Sequence, residues 1–126
     1  MSSRKRPLAR GELEAKVLDV LWDGEGWLIP SQVHLVINRD RRLAYTTIMT
    51  TMARLWGKGR LDRRRRGRAF EYRPTLDRTE YAATRMNEFL TAAGDPRSAL
   101  THFIAALDAN EVAELRRVLR RRGGSS

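Results

Sequence analysis

Three stretches in the N-terminal half repeat their apolar residues with the period of an α-helix. The first runs from Gly11 to Trp22, the second from Ser31 to Asn38 and the third from about Tyr45 to Lys58. Ser31 is expected to cap the second helix, because its hydroxyl can accept a hydrogen bond from a free backbone N–H. Gly59 follows the third helix as a residue that can adopt the left-handed conformation found after many helices.

The apolar period then changes from 3.6 residues to two. Leu61 opens a predicted strand, and residues 63–67 are expected to form a polar turn. From Ala69 to Arg73 the residues alternate, with Phe70 and Tyr72 on one face. Three helices followed by a hairpin is the element order of a winged helix-turn-helix domain.

Beyond Asp77 the chain is predicted to be helical again, in three segments. Thr79 is expected to cap the first, Gly94-Asp95-Pro96 to end it, and Asp108 with Glu111 to form a capping box on the last. The predicted fold class is therefore mainly α with a small β-hairpin. The expected divisions are a basic N-terminal arm (1–7), a winged-helix DNA-binding domain (8–76), a helical dimerisation domain (77–122) and a disordered tail (123–126).

Charge is distributed unevenly along the chain, which carries a net charge of +10 and has no cysteine. Residues 1–76 contain 17 Lys and Arg against 8 Asp and Glu, whereas residues 77–126 contain 8 against 7. A polycationic first part indicates a nucleic-acid or other acidic partner. The missing cysteines exclude disulfides and thiolate chemistry. With no secretory signal and no apolar run long enough to span a bilayer, a cytoplasmic protein without membrane insertion is expected.

The third helix separates two faces on a helical wheel. Ile48, Met52 and Leu55 share one stripe, which predicts packing on the first two helices. The opposite side is predicted to contact DNA through Thr46, Thr47, Thr50 and Arg54. Threonine suits such a face, since its hydroxyl can bond a phosphate or base edge and its methyl can touch a thymine methyl.

Two residues of this helix leave alternatives open. Thr51 lies beside the apolar stripe, so a solvated or semi-buried position is favoured over DNA contact. Tyr45 is included among the DNA-binding candidates, where it would stack on a backbone sugar, or it packs at the start of the helix.

Five arginines occur within six positions around Gly67, and they are the second DNA-binding prediction. They are Arg63, Arg64, Arg65, Arg66 and Arg68. Clustered cations at a hairpin tip repel one another unless they face an anion, and phosphate contact with counterion release accounts for them. The alternative is a solvated loop. Arg4, Lys5 and Arg6 are candidates for a flexible arm in a DNA groove.

Residues 8–120 resemble the penicillinase and methicillin-resistance repressor family (BlaI/MecI-like) of bacterial winged-helix proteins. The resemblance is carried by "LEAKVLDVLW" in the first helix, "TIMTTMARLWGKG" in the third and "FEYRP" in the hairpin. The later segment "SALTHFIAALDANEVAELRRVL" is similar to that family's dimerisation helices.

The resemblance implies a homodimeric, sequence-specific transcriptional repressor bound to a palindromic double-stranded DNA operator. Apolar stripes after residue 77 also favour a dimer, because large exposed apolar surfaces are unusual in monomers. Packing of these stripes on the chain's own winged domain is the alternative. The predicted interface residues are Phe89, Leu100, Phe103, Ile104, Leu107, Leu115 and Leu119.

Well-known members of that family are inactivated when a membrane-bound sensor metalloprotease triggers cleavage of an Asn-Phe bond. The same kind of partner is implied here, but the matching pair is His102-Phe103. Either cleavage follows a different specificity or it does not occur, and another signal then relieves repression. The copper-responsive branch has a cysteine motif that this chain lacks.

Other classes of function are less well supported by the residues. No catalytic residue, cofactor or metal site is predicted, because His34 and His102 are far apart and no nucleophile motif is present. His34 is expected to be exposed on the second helix. A metal bound by these histidines and carboxylates in a dimer remains one alternative. A non-specific nucleoid-associated or RNA-binding protein and a pure protein-interaction module are two others.

Overall fold

The computed structural model describes residues 6–24 and 26–124. They form a mainly α fold with one antiparallel hairpin, which confirms the predicted fold class, and two compact units that divide after Tyr81. The elements are α1 (Arg10–Asp23), α2 (Pro30–Ile37), α3 (Tyr45–Gly57), β1 (Leu61–Arg66), β2 (Ala69–Pro74), α4 (Arg78–Ala92), α5 (Pro96–Ala105) and α6 (Ala109–Gly124). None of the helices in the described ranges combines the length and hydropathy that crossing a membrane requires.

The core of the first unit lies where α1, α2 and α3 converge on the hairpin. Its fully buried side chains come from the apolar stripes that the helical period predicted. They include Val17, Leu18, Leu21, Val33, Ile48, Met52 and Leu55, joined by Leu61 and Tyr72 of the strands. This packing presents the opposite side of α3 to solvent.

The end of α3 has the predicted geometry. Gly59 has a φ of +76°, and its N–H donates to the carbonyl of Trp56, while the N–H of Arg60 donates to that of Leu55. This pair of bonds is the Schellman arrangement, which satisfies carbonyls that the helix leaves free. The chain therefore turns directly from α3 into β1.

The hairpin differs from the prediction at its turn. Arg63 to Arg66 were expected in a turn but belong to β1, whose Arg66 pairs with Ala69. The turn is only Gly67-Arg68, and Gly67 alone has a positive φ, +64°, as in a type II′ turn. Because residues alternate across a strand, four arginines are divided between the two faces of the hairpin.

The segment before α2 forms a third extended strand of minimal length. Leu28 and Tyr72 exchange both backbone hydrogen bonds, at 2.9 and 2.8 Å. The predicted cap of α2 is wrong by two positions. Pro30 is the first helical residue, where a missing N–H costs nothing, and Gln32 accepts from the N–H of Ile29 at 2.9 Å.

The N-terminal cap differs from the prediction in α4 and agrees with it in α6. The Asp77 carboxylate accepts from the N–H of Glu80 at 2.8 Å, so Asp77, rather than Thr79, caps α4. Asp108 and Glu111 form the predicted capping box on α6, with bonds of 2.8 and 2.9 Å. α6 continues to Gly124, two residues beyond the expected end of the helical domain at residue 122, a difference common at helix ends.

Candidate nucleic-acid interface

The exposed side of α3 is lined by small residues. Thr46 and Thr50 lie at the centre of this side with Ala53 and Gly57, while Thr47 is half-buried. Small side chains let a helix axis approach a partner surface closely. Thr51 faces the core, and its hydroxyl donates to the carbonyl of Thr47 at 2.8 Å. It is fully buried, rather than solvated or semi-buried as expected.

A shallow cleft of about 380 Å³ runs between α3 and the start of α1. Arg54 lines it from α3 and Arg10 from α1, so two guanidinium groups flank the threonines. The part of the chain described by the structure offers neither arginine an ion-pair partner. Arg10 was not singled out from the sequence, because only the fold brings the start of α1 beside α3.

Met49 is a second exposed residue that sequence reasoning missed. It is 45% exposed and lies next to Ala53 around the helix circumference, on the side away from Thr50. A helical wheel places it there, so the signal was available, but its apolar character suggested the core. A methionine on a polar face can contact apolar groups such as a thymine methyl.

His34 corrects a prediction, since it is half-buried rather than exposed. Its Nε2 lies 2.8 Å from the carbonyl of Leu43, and its ring meets Tyr45 edge-on with centroids 5.6 Å apart. Asn38 also bonds the backbone of Leu43. These contacts hold the turn between α2 and α3, and Tyr45 packs at the start of α3 while remaining partly exposed.

The face of the hairpin that contains Leu61 carries Arg63 and Arg65. The guanidinium carbon of Arg63 lies 3.5 Å from the ring centroid of Trp56 and 4.0 Å from that of Phe70. Arg65 is 5.4 Å from the centroid of Phe70. Both arginines thus lie over aromatic rings, but Arg63 is stacked on two rings at shorter distances than the single ring near Arg65.

The other face of the hairpin holds a buried carboxylate. Glu71 accepts a hydrogen bond from Arg64 at 2.6 Å and lies 3.6 Å from Arg66. Arg64 also stacks over Trp27, with 4.3 Å between guanidinium carbon and centroid. Glu71 therefore offsets charge that the sequence alone assigned to a phosphate surface.

Arg6, the first described residue of the arm, forms hydrogen bonds with α1. Arg6 forms two hydrogen bonds with the Glu12 carboxylate, at 2.6 and 2.7 Å. The bonds from Arg6, then that from the N–H of Ala9, lower the pKa of Glu12 to about 2. The other predicted arm residues, Arg4 and Lys5, lie outside the described residues.

The second unit exposes large apolar side chains. Most of the predicted interface set is exposed, and the remaining members are half-buried. A groove of about 500 Å³ lies between α4 and α5, lined by Met86, Asn87, Phe89, Leu90, Ala99, Leu100 and Phe103. The pair His102-Phe103 is on the surface of α5, within a regular helix.

Among residues 6–24 and 26–124, no three His, Asp or Glu side chains come close enough to hold a metal ion. What the first unit presents instead is a helix with a small, polar, arginine-flanked face and a basic hairpin beside it. The fold and this face define a winged-helix DNA-binding protein.

Comparison with known proteins gives the family. The penicillinase repressor family model matches residues 10–121. A transcriptional regulator BlaI of Mycobacterium tuberculosis is 38% identical over 112 residues, covering 86% of this chain and 81% of that protein. A penicillinase repressor of Bacillus licheniformis is 27% identical over 112 residues, covering 86% and 87%.

A solved structure is also similar in part. The solution structure of the Bacillus licheniformis BlaI monomeric form in complex with the blaP half-operator covers 60% of this chain and 89% of its own. Its TM-score is 0.48 at 26% identity. On the family match and the sequence identity, the chain belongs to the penicillinase repressor family. It is therefore a DNA-binding transcriptional repressor and not an enzyme.

Proposed function

We propose that the protein represses transcription in the cytoplasm as a homodimer on a palindromic operator. In this proposal α3 enters the major groove of each half-site, and the hairpin, here called the wing (Leu61–Pro74), lies on the adjacent phosphate backbone. The observation that carries the proposal is the small polar face of α3, bordered by a cleft that Arg54 and Arg10 line. Repeated half-sites would lie one helical turn of DNA apart, or a multiple of it.

Base recognition is assigned to the exposed side of α3. Thr46 and Thr50 are the central candidates, because both are exposed and point away from the core. Thr47 and Arg54, at the edge of the same side, are proposed to contact a base edge or a phosphate. Tyr45 is assigned a contact with the sugar-phosphate backbone through its exposed edge.

Dimerisation is assigned to the second unit. Phe89, Leu100 and Phe103 line its apolar groove, and such a surface is usually covered in a stable protein. The interface would be extended by Ile104 of α5, by Leu107 in the connection between the two helices, and by Leu115 and Leu119 of α6. Two linked DNA-binding domains bind a palindrome with more avidity than either alone, which supports the same assembly.

Relief of repression is proposed to follow cleavage at His102-Phe103, set off by a membrane-bound sensor metalloprotease, or another signal. The bond is exposed, but a helical segment must unwind before a protease can hold it in extended form. Mass spectrometry of the protein from cells treated with a β-lactam tests this. A fragment that ends at residue 102 is expected, and only intact chain after full derepression contradicts cleavage.

The experiment that tests the main proposal begins with selection of bound duplexes from random-sequence DNA. Fluorescence anisotropy then compares the enriched duplex with a scrambled duplex of equal length across a salt series. A repressor should prefer the enriched duplex by about 10³-fold or more at physiological salt. No enrichment, with equal affinities that collapse as salt rises, would indicate a non-specific nucleoid-associated protein instead.

A further inference from the structure

We propose that Arg63 is a positioning residue that holds the wing against α3, and that the phosphate contacts of the wing come from Arg65 and Arg68. This inference rests on the proposed function and deepens it, because it divides five neighbouring arginines by role. The alternative is that all five arginines contact DNA phosphates in the same way.

Arg63 joins two elements. Its guanidinium lies between the ring of Trp56, which belongs to α3, and the ring of Phe70, which belongs to β2. Arg63 is also half-buried, unlike Arg64 to Arg66 and Arg68, which are exposed. Turning this guanidinium toward a phosphate would break both stacking contacts, and arginine stacks on aromatic faces more effectively than lysine does. The geometry therefore suits Arg63 to setting the angle between the wing and α3.

Arg64 and Arg66 are engaged by a carboxylate. Glu71 is buried between them, at 2.6 Å from Arg64 and 3.6 Å from Arg66. If both arginines turned toward DNA, the buried carboxylate of Glu71 would be left without a positive partner, which is energetically costly. Arg64 and Arg66 are therefore expected to stay paired with Glu71. Their net contribution to a phosphate surface is reduced by the charge of Glu71.

Arg65 and Arg68 remain for the DNA backbone. The guanidinium carbon of Arg65 lies 5.4 Å from the ring centroid of Phe70, and Arg68 is the second residue of the turn. Within the described part of the chain, neither side chain forms an ion pair. Both lie at the end of the hairpin furthest from the core, where a long side chain can reach a neighbouring phosphate without losing a structural contact.

The test compares Arg63→Gln with Arg65→Gln, two variants of the intact chain that each remove one charge from the same face of β1. Each is measured by anisotropy on the enriched and scrambled duplexes across a salt series. Arg65→Gln is expected to weaken binding to both duplexes alike and to reduce the slope of log K against log salt by about 0.9. Arg63→Gln is expected to leave most of that slope and to reduce the preference for the enriched duplex by about tenfold.

Two further variants separate positioning from charge. Arg63→Lys keeps the cation but stacks poorly, so it should behave like Arg63→Gln. Trp56→Ala keeps Arg63 and removes one ring, and it should also reduce preference without changing the slope. Thermal unfolding of every variant identifies one that does not fold, and Trp56→Ala, at a surface position of α3, then decides the question.

Three outcomes would overturn the inference. They are an equal loss of slope in Arg63→Gln and Arg65→Gln, normal binding by Arg63→Lys, and unchanged preference in Trp56→Ala. A failure of the proposed function looks different, because the unmodified protein would then show no preference for any duplex.

Discussion

The Nζ of Lys58 lies 2.9 and 3.1 Å from the two carboxylate oxygens of Glu14, whose side chain is buried in the first unit. Glu14 belongs to α1 and is only 2% exposed, whereas Lys58 caps the end of α3 and remains partly exposed. The pair ties the proposed recognition helix to the helix on which it packs. The cation is also placed near the last carbonyls of α3, where positive charge is favourable.

Lys58→Ala should lower the free energy of unfolding by about 1–3 kcal/mol, because it leaves a buried carboxylate without its partner. Urea unfolding followed by circular dichroism measures this change. Lys16→Ala is the matched control, since Lys16 forms an exposed pair with Asp40 at 3.9 Å and should cost about 0–1 kcal/mol. Equal losses of unfolding free energy in the two variants would show that the burial of Glu14 does not strengthen its pair with Lys58.

Thr50 and Thr51 are neighbours with opposite environments, so substituting valine for each separates DNA contact from folding. Thr50→Val should weaken binding to the enriched duplex by about 1–3 kcal/mol and leave stability nearly unchanged. Thr51→Val removes the bond to the Thr47 carbonyl and should change stability by about 1 kcal/mol, with normal DNA preference. Anisotropy and thermal unfolding measure the two effects, and the reverse pattern would place the wrong side of α3 on DNA.

Phe103→Glu should weaken dimerisation at least tenfold, about 1.4 kcal/mol, because it places a charge in the apolar groove of the second unit. Sedimentation equilibrium gives the dimer dissociation constant. His102→Glu introduces the same side chain on the other side of α5 from Leu100 and Ile104, and it should leave that constant unchanged. If neither substitution alters assembly, the groove is not the dimer interface.

The Glu12 carboxyl should titrate with a pKa of about 2, below its ordinary value of 4.5, because Arg6 bonds its charged form. A group whose pKa is lower in the folded state stabilises the fold fully above the ordinary value. That contribution is lost as pH falls from about 4.5 through 2. NMR titration of the side chain measures the pKa.

Arg6→Gln should return the pKa of Glu12 toward its ordinary value, and high salt should do so in part, since the pair is exposed. A pKa that does not respond to the substitution would assign the shift to the backbone bond from Ala9 instead.

Elements with strong local signals were predicted well. The stripe of Ile48, Met52 and Leu55 is buried as the helical period required, and Gly59 adopts the left-handed conformation at the end of α3. The wing was predicted as a hairpin, but its turn was placed too early. A run of four arginines reads as a loop by polarity, while pairing with β2 makes it a strand. Polarity alone does not reveal that pairing.

By itself, the sequence determined the order of helices and strands, the charge of the first unit and the side of α3 that faces outward. These follow from periodicity and composition, which are properties of neighbouring residues. The tertiary structure alone decided that Arg63 stacks on Trp56, that Glu71 engages Arg64, and that Arg10 lies near Arg54. Such contacts join different elements, so their distances depend on how the elements pack, and no local pattern in the chain encodes them.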